Sequence, residues 1–91
     1  MITYDALKEL ALNLSKVIGF RYIAFEKIDD NLNISFSNEQ MEWISIGSAH
    51  REKFGTDGYW DENSNYCVLN CRQKPSIDWS KCQFDCKEFE E

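Results

Sequence analysis

Cys67, Cys71, Cys82 and Cys86 are the residues whose type and spacing suit chemistry: they form two CxxxC units separated by ten residues. Three outcomes suit thiols in this pattern: buried reduced side chains, disulfides, or a structural metal with zinc as the candidate ion. The pattern is symmetric, because an antiparallel pairing that sets Cys67 opposite Cys86 also sets Cys71 opposite Cys82 and Leu69 opposite Phe84. A hairpin turning through Lys74 to Trp79 is therefore predicted. If its arms are strands, the two cysteines of one arm lie about 13 Å apart, too far to share a zinc with Zn–S bonds of about 2.3 Å. Cross-strand disulfides or buried thiols are then what remains. If the arms are helices, the i, i+4 spacing brings each pair to about 6 Å on one face, and four thiolates could meet one ion or close two disulfides. Zinc knuckles and thiol oxidoreductases both favour CxxC, which this chain lacks.

The twin CxxxC resembles the motif of the small mitochondrial intermembrane-space chaperones. That resemblance implies a helical hairpin closed by Cys67–Cys86 and Cys71–Cys82 disulfides. It covers residues 67 to 86 alone, with a spacer shorter than that family's, and nothing in the first sixty residues shares it.

Beyond the cysteines, groups suited to catalysis are few. His50 is the one histidine, and there is no glycine-rich phosphate loop, paired metal-ligand histidines or nucleophile elbow. No catalytic residue is expected, and the chain reads as a non-enzyme. A different signal comes from Tyr59 and Trp60, which interrupt a polar, glycine-punctuated stretch and have Asp57, Asp61 and Glu62 as neighbours. An exposed aromatic pair in an acidic setting suits a protein-binding hot spot. The competing reading is that the two rings cap a small core from a loop.

The elements that must position these groups follow from periodicity. Tyr4, Leu7, Leu10, Ala11, Leu14, Val17 and Ile18 recur at helical steps and predict a helix over 3–18, with Thr3 as N-cap and Gly19 as a left-handed terminator. Aromatic and β-branched residues then predict strands at about 20–28, 32–37 and 41–46, the first two joined by a turn at Asp29-Asp30-Asn31. An irregular loop over 47–65 and the cysteine hairpin over 66–89 complete the chain. The expected fold is α+β: an N-terminal helix packed on an antiparallel β-meander, with a C-terminal antiparallel hairpin carrying the four cysteines.

Composition bounds the function. A chain of 91 residues buries only about 60–65% of its unfolded surface, which means one domain, 1–91, with a modest core. Apolar residues make up 43% and aromatics 14%, enough to fold. The net charge of −6 is spread over both halves, which disfavours nucleic acid and anionic membranes as partners and favours a protein with a basic surface. Charged residues interrupt the N-terminal apolar stripe, so neither a signal peptide nor a membrane span is expected. A cytoplasmic location follows, under which the sequons at Asn13 and Asn33 are chance matches. The expectation is an acidic protein-binding module, an inhibitor or regulator of the phage or bacterial accessory type. The alternative is a redox-responsive domain held by metal or disulfides at Cys67, Cys71, Cys82 and Cys86.

Overall fold

The computed structural model describes residues 2–28, 30–45, 58–61, 65–71 and 77–89. Its chain order is α1 (Tyr4–Ser15), β1 (Tyr22–Ile28), β2 (Asn31–Ser37), β3 (Trp43–Ser45), β4 (Gly58–Trp60), β5 (Asn65–Asn70) and β6 (Gln83–Asp85). Short 3-10 turns cover Trp79–Lys81 and Cys86–Phe89. The architecture is α+β, as the periodicity predicts. Four antiparallel strands form a sheet in the order β5-β2-β1-β6, and β3 with β4 makes a separate ribbon.

Thr3 caps α1 as expected, its side chain accepting a hydrogen bond from the Ala6 amide at 3.1 Å. The helix stops earlier than its apolar period suggests. Ser15 turns its hydroxyl onto the Leu12 carbonyl, and the amides of Lys16, Val17 and Ile18 reach back to Asn13 and Leu14. The chain thus leaves at Lys16, and Gly19 does not take the left-handed conformation expected of a terminator. Leu7 and Ala11 are buried, Tyr4 is partly exposed with its ring 5.3 Å from that of Phe84 on β6, and Val17, beyond the end of the shorter helix, is almost fully exposed.

Strand alternation gives the sheet two covered faces. Ile23, Phe25, Leu32, Ile34 and Phe84 face α1 and pack with Leu7, Ala11, Trp79 and Cys82. Fully burying Ile23, Phe25 and Ile34 contributes roughly 1.5–3 kcal/mol each. On the opposite face Ala24 lies under Met41 and Trp60, with Tyr22 and Trp43 beside them. This second small core explains a departure from the expected meander. The segment predicted as a third sheet strand, 41–46, instead pairs as β3 with β4, because Trp43 and Trp60 need a face to cover; their rings meet edge-on at 5.2 Å.

Gly58 opens β4 where no side chain fits: a Cβ there would meet the Ile44 carbonyl oxygen and lie 2.7 Å from the Trp43 ring. Gly58→Ala is therefore expected to cost about 1–3 kcal/mol by forcing the ribbon apart, read as a lower urea midpoint.

Candidate functional site

The cysteine arms do not pair with each other. β5, carrying Cys67, joins β2, whereas β6, between Cys82 and Cys86, joins β1. Two strands separate them, so the arms stand about three strand spacings, roughly 14 Å, apart. A disulfide needs Cα atoms within about 7 Å, which excludes the cross-strand pairing of Cys67 with Cys86. The reason lies in the apolar pattern: Leu32 and Ile34 on β2 and Ile23 on β1 each take a partner, Leu69, Cys67 and Phe84 respectively, so the two arms extend the sheet at opposite edges. Nor do the described residues form a helical hairpin of the twin-CxxxC kind, since Cys67 lies in a strand and Cys82 and Cys86 flank another.

All four cysteines are free thiols, and among the described residues no three Cys, His, Asp or Glu side chains gather to hold a metal ion. Cys82 is fully buried, its thiol reaching the Asp78 carbonyl at 3.5 Å, and burial followed by the nearby Asp78 charge pushes its pKa up to about 11. Burial and then Asp85 raise Cys86 as well. The unfolded thiol ionises near 9.0 and the folded one later. The Cys82 contribution to stability is therefore complete below pH 9 and is lost as pH rises toward 11. Urea unfolding at pH 7.5 and pH 10.5 should show a fall in stability that is smaller in Cys82→Ala, apart from that variant's uniform loss of packing.

Trp60 is not an exposed hot spot. It is buried, and its indole N–H donates to the Phe25 carbonyl at 3.0 Å. The neighbouring ladder explains why. Phe25 donates its amide to the Cys82 carbonyl at 2.8 Å, but the Cys82 amide turns into the preceding 3-10 turn and bonds Trp79. The Phe25 carbonyl thus loses its strand partner, and Trp60 replaces it. Tyr59 is half-buried in β4, and Asp61 follows it, with its amide on the Glu42 carbonyl at 3.0 Å. Asp57 and Glu62, like His50, lie outside the described residues. The loop predicted over 47–65 thus includes strand β4 and the first residue of β5.

The surface that stands out is β5. It is an outer strand of the sheet, and all six of its residues are exposed, Tyr66 at 70%, Val68 at 48% and Leu69 at 47%. Its hydrogen bonding has a definite parity. The Cys71 amide bonds the Asp30 carbonyl at 2.6 Å, and hydrogen-bonded pairs alternate along an antiparallel ladder. Residues 65, 67 and 69 therefore direct their amides and carbonyls to β2, while Tyr66, Val68 and Asn70 direct theirs outward. The far edge agrees: bonds from Phe25 to Cys82 and from Cys86 to Arg21 commit the odd residues of β1 to β6, and carrying the alternation across β2 gives the same assignment on β5. Open edges are normally guarded by lysine, proline or a bulge. No charged residue or proline occurs from Asn63 to Cys71, and that neutral run is the signal that sequence reading passed over in favour of the cysteines.

These features define a small α+β domain in which the outer strand β5 is exposed and uncharged. Comparison with known protein families, curated proteins and solved structures finds no match for this chain. Among the described residues no helix is long and apolar enough to cross a membrane.

Proposed function

We propose that this protein is a small, non-catalytic protein-binding module that inhibits or regulates its partner, and that it binds by accepting an extended segment of that partner along β5. The observation that carries this reading is the outward row of amides and carbonyls at Tyr66, Val68 and Asn70, flanked on both faces by apolar side chains. Main-chain bonds supply affinity in strand addition, and alternate side chains supply specificity. Tyr66 and Val68 offer contacts on one face, Cys67 and Leu69 on the other. The net charge of −6 favours a partner segment set in a basic surface. This moves the binding surface from the Tyr59–Trp60 loop to the sheet edge, because Trp60 is committed to the core.

Site-specific photocrosslinking tests the reading. A photoreactive residue at Tyr66 or Val68 should trap one protein from the native host extract, whereas the same group at Val17, exposed just beyond α1, should trap none of it. Capture of that protein from Val17 but not from Tyr66 or Val68 would move the interface off β5.

A further inference from the structure

A cleft of about 500 Å³ opens where α1 ends beside the β6 edge, the side of the sheet away from β5. Its size lies within the range of small-ligand pockets, about 300–1,000 Å³. The charge of its lining is opposite to that of the protein. In a chain of net charge −6, Lys16, Arg21 and Lys87 line this cleft, and no Asp or Glu among the described residues does. Its remaining surface is largely apolar, from Leu12, Ile18, Phe20 and Phe89. We propose that this cleft binds a small amphiphilic anion, of the class of medium-chain carboxylates, with its tail against these four side chains and its head between Lys16 and Lys87.

Two features that would oppose an anion here are already offset. A helix C-terminus carries partial negative charge on its open carbonyls. Here those of Leu12, Asn13 and Leu14 accept bonds from the Ser15 hydroxyl and the amides of Lys16, Val17 and Ile18. Cys86 also lines the cleft, and because burial and Asp85 raise its pKa it remains a neutral thiol at pH 7. Arg21 contributes less attraction than the lysines, since its Nε and Nη2 donate to the two Asp85 oxygens at 3.1 and 3.0 Å. It is instead held rigidly at the cleft wall, with its guanidinium 5.0 Å over the Tyr22 ring. The attraction therefore falls to Lys16 and Lys87, both exposed and so replaceable without disturbing the core.

Titration of the isotope-labelled full chain with sodium octanoate, followed by amide chemical shifts, tests the proposal. Shifts should concentrate at Gly19, Phe20 and Lys87. Affinity should rise through butanoate, hexanoate and octanoate by up to about fourfold per added methylene. The double variant Lys16→Glu, Lys87→Glu should weaken octanoate about tenfold. Octylamine should leave these amides unmoved. Equal binding of octylamine, no dependence on chain length, or unchanged affinity in the double variant would overturn the assignment. A peptide with a free leucine C-terminus that moved the same amides when octanoate did not would also overturn it, by giving the cleft to a chain terminus. None of these outcomes bears on β5, so the protein-binding reading stands or falls separately.

Discussion

Trp60→Ala is expected to destabilise the fold by about 3–5 kcal/mol, which removes much of the total of about 5–13 kcal/mol ordinary for a domain of this length. The effect has two sources. Removing the indole empties the small core formed with Ala24 and Met41, and it takes away the edge-on partner of Trp43. It also leaves the Phe25 carbonyl without its donor, a loss of about 1–3 kcal/mol for a buried group. Trp60→Phe separates the two, since it keeps much of the apolar volume while deleting the donor, and it should fall between wild type and Trp60→Ala. Urea unfolding followed by circular dichroism reads all three proteins. If Trp60→Ala unfolded like wild type yet lost its partner, the ring would be a contact residue after all and the assignment of Trp60 to the core would be wrong.

Val68→Pro is expected to weaken partner binding by about 30-fold or more, the size of a hot-spot loss, with a stability change of no more than about 1 kcal/mol. The difference follows from parity. The Val68 amide points away from β2, so a proline there removes a donor that only an added strand would use, and edge strands tolerate proline at outward positions. Leu69→Pro is the matched contrast. The Leu69 amide points at β2, and replacing it should break the ladder and destabilise the fold by about 3 kcal/mol. Titration of the photocrosslinked partner, once purified, gives the binding term, and urea midpoints give the stability term. Equal stability losses in the two proline variants would remove the parity argument, and unchanged partner affinity in Val68→Pro would remove the β5 interface.

The sequence disclosed the fold to the extent that its elements carry their own periodicity. Leu7, Leu10, Ala11 and Leu14 repeat at the helical step and Leu32, Ile34 and Phe36 at the strand step, so α1 and the β1–β2 hairpin were legible. Pairing between distant strands was not, because two partners competed for the same apolar faces. The symmetric spacing of Cys67, Cys71, Cys82 and Cys86 suggested that the arms pair with each other, yet each pairs instead with one edge of the β1–β2 hairpin. Trp60 misled for a related reason. Polar neighbours marked it as exposed, while the vacancy it fills, an orphaned carbonyl on Phe25, arises only once the short β6 gives way to a 3-10 turn. The β5 edge itself left a trace in the uncharged run from Asn63 to Cys71. The cysteines drew attention from that run, and only the sheet order places β5 outermost.

The alternating character of β5 underlies the proposed interface, and amide hydrogen exchange on the isolated protein reads it residue by residue. The amides of Cys67 and Leu69, directed at β2, should exchange slowly, and those of Tyr66, Val68 and Asn70 should exchange at rates near those of an open chain. Protection at Tyr66, Val68 and Asn70 in the protein alone would mean that the edge is already covered, and would contradict the account.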